Sequence, residues 1–498
     1  MTSVAIPARS DIRTDRKLPL GSFRPLPAIV AAGGAVLAAM AITRVGYNVD
    51  PLSPTPFVLV LLTIGLILLR EHAVHQLSVF SPLAVVLLAY AVMFGLVPLS
   101  DVLFHNAAVY HSGWQGGAWL GWASLVLLYI GYRTALLAWP GTRRPVRSDW
   151  SPMPARVIAM ILLAIAAGSV LVELHSTGGV FSYFARFATR RRYIHQPVPL
   201  LIRISMATPA FLLLTGNWLR RPTFKVRARL LLVWLPIVMV TSGFLGQRWR
   251  SVTVLVALMA ITHLGHRRLS WPVIGVLLAS LLAGFVAVNL YRNVVGSSRQ
   301  VRSIAGTDFY YNYLSGHELG EFRDFVTTLE GVPGKLEFQH GRTFLSTIPG
   351  APYPTAGYLY SSTFTPRLYA AGTSVSNTLL GELYINFGIP GIFIGILLFG
   401  FGIGAIERWF QRNRGRTGAL LIYAAVLVPL AGILRGDFTT FAGFTLLGLA
   451  PLFAALRFVE RVAADSEAGA PLAPSNGHSR SEAPHSLAQV RLTAGRTL

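Results

Sequence analysis

"SNTLLGELYINFGIPGIFIGILLFGFGIGAIERW" occupies residues 376–409. Between Leu380 and Ile406 the one charged side chain is Glu382. A helix needs about 20 mostly apolar residues to cross a bilayer, so residues 380–406 read as a membrane span. Similar runs recur near residues 26–43, 54–69, 80–99, 116–138, 156–173, 199–219, 229–246, 250–265, 271–291, 418–434 and 439–456. The expected fold is therefore an all-α polytopic membrane protein with about twelve transmembrane helices, ten at the fewest. A β-barrel would alternate apolar and polar residues in short segments, and these continuous runs do not.

Composition agrees. The chain has 498 residues, 53% hydrophobic and 13% charged, about half the charge of soluble domains. Mean hydropathy is +0.55. There is no cysteine, which excludes disulfides, thiol catalysis and Cys-type metal sites. Net charge is +23, almost all from arginine, since Lys17, Lys225 and Lys335 are the only lysines. Those arginines are scattered between spans rather than gathered into one basic domain, so no nucleic-acid partner is expected.

Lys/Arg bias in short loops sets orientation. "GTRRPVRSDW", "RRPTFKVRAR", "HRR" and "ERWFQRNRGRTG" alternate with less basic connections, which puts both termini in the cytoplasm. The resulting plan has a cytoplasmic leader over 1–25 and a bundle of about nine spans over 26–291. An extracytoplasmic segment follows over 292–379, then C-terminal transmembrane helices over 380–456. The tail over 457–498, rich in Ala, Ser, Pro and Gly, is expected to be disordered.

Some arginines break the rule. Arg186, Arg191, Arg248, Arg250, Arg292 and Arg435 fall on the predicted outer side, where positive charge opposes insertion. Snorkelling into headgroups would accommodate each one separately. A shared anionic ligand would account for the set, because the guanidinium fork holds phosphate oxygens bidentately at any working pH. A pyrophosphate at the outer membrane boundary fits.

The outer segment carries apolar residues at helical spacing, Leu319, Phe322, Phe325, Val326 and Leu329, which predict a short amphipathic helix. Gly and Pro break the part that follows into turns. Tyr310 and Tyr311, with Tyr313, Tyr353, Tyr358 and Tyr360, offer flat faces with polar tips, suited either to sugars or to an interfacial aromatic belt. Glu318, Asp324, His340 and Arg342 stand among them. Glu382, at the outer end of its span, needs a partner if buried. Arg435 or Arg250 are the cations expected to supply it, unless the carboxylate serves chemistry. Gly388, Gly391, Gly395, Gly400, Gly402 and Gly404 read as close helix packing.

The core of the opening stretch, Gly381-Glu382-Leu383-Tyr384-Ile385-Asn386-Phe387-Gly388, resembles the late signature of Wzy-type oligosaccharide repeat-unit polymerases, the O-antigen polymerase family. "FSPLAVVLLAYAVMFGLVPL", "GQRWRSVTVLVALMAITHLGHRRLS" and "HGRTFLSTIPG" resemble further stretches of that family, in order, over about residues 80 to 456. The resemblance implies a glycosyltransferase of GT-C-like architecture in the bacterial inner membrane. Its substrate would be an undecaprenyl-pyrophosphate-linked oligosaccharide, polymerised at the outer face into a surface polysaccharide. A chain-length regulator and a flippase of the same pathway would be its partners, with membrane lipid around it.

Arg248, Arg250 and Arg292 would stabilise the departing pyrophosphate, with Arg186, Arg191, Arg342 and Arg435 assisting in binding. His340 would serve as base, with Glu318 and Asp324 as other candidates, unless leaving-group departure alone drives transfer. Glu382, Tyr310 and Tyr311 complete the expected substrate-binding set. No cofactor and no metal are expected. An O-antigen-ligase-type transferase with the same donor, or a transporter of an anionic lipid-linked glycan, are the competing readings.

Overall fold

The computed structural model describes residues 54–75, 78–104, 114–139, 150–176, 178–179, 197–243, 248–270, 272–277, 279–280, 320–348, 351–370 and 377–468. Arg186, Arg191, Arg292, Tyr310, Tyr311 and Glu318 lie outside them, as do the leader, the run at 26–43 and most of the run at 271–291.

Every regular element among the described residues is a helix. In order, α1 is Thr55–His75, α2 is Pro82–Ala91 and α3 is Val97–Phe104, the last two joined through a π turn at Val92–Leu96. Then come α4 Trp114–Ala138, α5 Pro152–Ser176 and α6 Pro197–Arg220. α7 Phe224–Arg229 passes through a π turn at Leu230–Trp234 into α8 Leu235–Gly243, and α9 Arg248–Ile261 ends in a π turn at Thr262–His266. The segment between residues 292 and 379 supplies α10 Glu321–Gly331, α11 Arg342–Leu345, α12 Ala356–Phe364 and α13 Pro366–Ala370. α14 Leu379–Arg412, α15 Thr417–Arg435 and α16 Phe438–Ala468 close the bundle. Among the described residues, seven helices are long and apolar enough to cross a membrane.

Helices replace the predicted runs one for one where both are described, but several outlast the hydropathy. α14 continues six residues past the predicted end at 406, and α16 runs to Ala468 rather than stopping near 456. The extension of α16 keeps Leu456, Val459 and Ala463 buried, a helical repeat on one face. Charge on its other faces ends the hydropathic run without ending the helix. Residues 457–468, expected to belong to the tail, are therefore helical.

Local sequence starts these elements cleanly. Ser81, ahead of Pro82, accepts a hydrogen bond from the Ala84 amide at 3.1 Å, and Thr378 accepts one from Gly381 at 3.0 Å; both are N-caps of ordinary type. Packing then uses the glycines. A Cβ on Gly400 would lie 2.0 Å from the Leu128 carbonyl oxygen, one on Gly404 2.5 Å from that of Tyr132, and one on Gly131 2.1 Å from that of Leu397. Their absence lets the backbones of α4 and α14 touch. Gly402, by contrast, has nothing within 4 Å of its Cβ position.

Two buried cores result. One gathers α1, α2, α4, α10 and α14 around Tyr90, Phe94, Leu128 and Phe322. The other gathers α5, α6, α8, α9, α15 and α16 around Phe211, Ala257, Leu421 and Leu452.

The bundle has two chemically distinct ends. At one, Arg220 Nε donates to Thr417 Oγ1 at 2.8 Å, Arg408 donates to the Leu136 carbonyl, and His266 packs on Trp218 at 5.1 Å. Buried Glu71 accepts from Tyr129 and Arg133 at 2.5 and 3.1 Å at the same end, tying α1 to α4. At the other end α10 plugs the bundle. Phe322 packs edge-on against Phe57 and Trp114, each 5.2 Å away. Phe325 and Val326 are buried beside it, as the amphipathic spacing predicts.

Candidate functional site

The GELYINFG stretch lies at the plugged end, and its geometry follows from two residues. Gly388 has φ 65°, ψ −154°, a conformation open to glycine and strained for other residues. Pro390 has no amide hydrogen. In an unbroken helix the Asn386 carbonyl would accept from residue 390, and the Ile385 carbonyl from residue 389. The break and the proline leave both oxygens without helical donors. The loop at 336–348 fills the gap: Gln339 N donates to Ile385 O at 2.9 Å, and His340 N donates to Asn386 O at 3.0 Å.

Side chains extend this clasp. The Asn386 amide accepts from Gly341 N at 2.9 Å and donates to Thr343 Oγ1 at 2.7 Å. Thr343 in turn donates to Glu382 Oε1 at 2.9 Å. From the start of α16, the Thr439 hydroxyl contacts Glu382 Oε1, and its amide lies 3.4 Å from Oε2. Glu382, Asn386 and Thr343 have no exposed surface. Phe344 stacks on Phe387 at 6.3 Å and meets Phe438 edge-on at 5.8 Å. Three separated pieces of chain thus meet on one carboxylate: α14, the loop 336–348 and the α15–α16 corner.

Of the two cations expected to partner Glu382, Arg435 goes elsewhere, and the side chain of Arg250 lies outside the described ones. Arg435 donates from Nε to Glu321 Oε1 at 2.7 Å, joining α15 to α10, while hydroxyls of Thr343 and Thr439 bond Glu382. Asp324 is buried and accepts from the Tyr360 hydroxyl at 2.8 Å. Burial pushes its carboxyl up to about 7, helped by nearby Glu321 and opposed by the Tyr360 bond. Tyr360 is therefore a core residue at this end. Tyr353 and Tyr358 are exposed, the latter packed on Tyr369 at 5.1 Å.

His340 and Arg342 stand exposed on the clasped loop. His340 adopts φ 50°, a left-handed turn that presents the residue while its amide stays bonded to Asn386. For Arg248 and Arg250 the structure describes the helical backbone. Both lie in the first turn of α9, whose far end has Gly265 against Leu420 and His266 against Trp218. α9 packs along α15, and Leu420 is in the first turn of α15. The two helices are antiparallel, so Arg248 and Arg435 belong to the same end of the bundle, that of Glu382 and α10.

Asn386 and Thr343 stand in the two stretches quoted above and Thr439 in neither, and no feature of the sequence assigns any of the three to Glu382. The available signal was polar residues flanking an apolar span, each in a position where an unpaired polar group would be costly. Among the described residues, no group of three His, Asp or Glu side chains is arranged to hold a metal ion. Comparison of the chain with family models, curated proteins and solved structures finds no match.

Proposed function

We propose that the chain is a membrane glycosyltransferase that polymerises polyprenyl-pyrophosphate-linked oligosaccharide repeat units at the outer face of a bacterial inner membrane. In this reading it spans the membrane ten to twelve times with a GT-C-like plan. The arginine-rich end, with Arg408, Arg412, Arg414 and Arg416, faces the cytoplasm by the positive-inside rule. The end with Glu382 faces outward.

One observation carries the reading. The clasp on Glu382 joins two stretches that resemble separate parts of the Wzy-type family, GELYINFG and HGRTFLSTIPG, at the end of the bundle where α9 begins with Arg248 and Arg250. Charge develops on a pyrophosphate as its bond to the anomeric carbon breaks. Guanidinium groups positioned beforehand stabilise that charge in the transition state. Arg248 and Arg250 are assigned that part, with Arg342 on the clasped loop as a binding residue and His340 as the base for the acceptor hydroxyl.

The test is incubation of the purified full chain with a prenyl-pyrophosphate oligosaccharide. A ladder of products spaced by one repeat unit is expected. A single transfer to a different acceptor, or substrate uptake into vesicles with no new glycosidic bond, would overturn the polymerase reading in favour of a ligase or a transporter.

A further inference from the structure

Between α14, α15 and α16, at the arginine-rich end, lies a groove of about 760 Å³. Its lining divides by chemistry along its length. Arg408, Arg412, Arg416 and Arg457 stand near the helix ends with one carboxylate, Glu460. Ile422, Val426, Leu449 and Phe453 continue it toward the middle of the bundle. Trp139, Trp409 and Phe453 flank it and are 41%, 37% and 44% exposed, so the apolar half opens sideways to the surroundings of the helices.

The arginines also fasten the helix ends. Arg408 donates from Nε and Nη2 to the Leu136 carbonyl at 3.0 and 2.6 Å and from Nη1 to Gln411, which fastens α4 to α14. Arg416 faces Glu460 at 3.5 Å. Four guanidinium groups against one carboxylate still leave the groove strongly cationic, and like charges held this close favour an anion between them. The guanidinium fork matches phosphate oxygens. A soluble phosphate would leave the apolar half unfilled, whereas a diacyl phosphate would fill both halves. Basic pockets between helices at a cytoplasmic membrane face are suited to lipid headgroups in this way.

We propose that the groove binds one anionic phospholipid, its phosphate at Arg412 and Arg457 and an acyl chain along Ile422, Val426 and Leu449. The proposal rests on the groove and on the cytoplasmic placement of this end in the reading above, not on the glycan chemistry assigned to the opposite end.

Native mass spectrometry of the full chain released from detergent tests it, with phosphatidylglycerol, phosphatidylcholine and glycerol phosphate as probes. Phosphatidylglycerol should be retained at one copy. The double substitution Arg412→Gln/Arg457→Gln should weaken retention about a hundredfold, the loss of two charge-assisted contacts. Arg461→Gln, outside the groove on the exposed face of α16, should leave retention unchanged. Equal retention of phosphatidylcholine, displacement of the lipid by equimolar glycerol phosphate, or undiminished binding by the double variant would each overturn the proposal. A second measurement uses the unaltered chain in nanodiscs. Phosphatidylglycerol brominated on its acyl chains should quench tryptophan fluorescence more than equally brominated phosphatidylcholine, through Trp139 and Trp409; equal quenching overturns the proposal too.

Discussion

Asp324 and Glu382 are both acidic, both buried at the same end of the bundle, and both held by hydroxyl groups. The difference lies in what they join. Asp324 ties α10 to α12 through Tyr360, outside the spans, while Glu382 ties the outer loop and the α15–α16 corner to α14. For Asp324 the energetic consequence has a definite sign. Its folded carboxyl titrates at about 7 rather than the ordinary 3.8, so the folded state binds the proton more tightly than the unfolded chain does. The stability this contributes is full below about pH 4 and is lost as pH rises through about 7. Asp324→Asn keeps an oxygen to accept from Tyr360 and removes the titration. The variant should unfold at a higher temperature than the parent at about pH 8 and should lack this part of the parent's decline between about pH 5 and pH 8. Thermal unfolding in detergent at both pH values checks it; an identical pH slope in the two proteins would mean that Asp324 is not the titrating group.

At the scale of elements, α14 is one rod with two functions. Its first turns, broken at Gly388, give up two carbonyls to the loop at 339–340. Its remainder packs through glycines against α4. These functions make contrasting demands on residues of the same type, and hydropathy does not distinguish them. Gly400→Ala should destabilise strongly, by about 1 to 3 kcal/mol or more as in overpacked cores, because its Cβ would meet backbone at 2.0 Å, which cannot rotate away. Gly402→Ala, two residues on, faces open space and should be neutral, or stabilising by roughly 0.5–1 kcal/mol from helix propensity. Paired melting curves decide it. Equal effects at the two positions would show that α4 and α14 are not in backbone contact there.

On the scale of the whole molecule, the two ends hold different sets of charges. One end carries Arg408 and Arg412 on α14 and Arg414 and Arg416 in the connection to α15, with Glu71 buried beside Arg133; the other buries Glu321, Asp324, Glu382 and Asp437, with Arg435 bonded to Glu321. The proposed pyrophosphate site stands at the second of these ends, where α9 begins with Arg248 and Arg250 and α15 finishes with Arg435. Arg250→Ala should lower polymer synthesis about a hundredfold, the usual loss for one transition-state donor. Arg250→Lys should remain impaired, because an ammonium cannot reproduce the bidentate fork. Glycan length on gels, read with protein level in the membrane, separates chemistry from insertion; full chain length in the lysine variant would exclude bidentate recognition at this position.

Much of this was written locally. Helix after helix falls where an apolar run is found, because hydropathy and helical hydrogen bonding depend on residues within a few turns of one another. The amphipathic face of α10 follows from Phe322, Phe325 and Val326 in the same way. The break in α14 does not: residues 380–406 read as one span and Gly388 as a packing glycine, whereas its φ of 65° opens the helix there. The partners were not legible. Thr343 and Thr439 are far along the chain from Glu382 and come to it through folding of the outer loop and the α15–α16 corner. Arg435 turns to Glu321 because α10 fills the bundle end beside it. The arginines of "ERWFQRNRGRTG" read as ordinary cytoplasmic anchors until α16 closes over them to form a groove. Sequence determined where this chain is apolar and helical, since those are properties of neighbours. Which polar groups meet was settled by tertiary structure, since burying each one demands a partner and only the packed helices decide which partner is within reach.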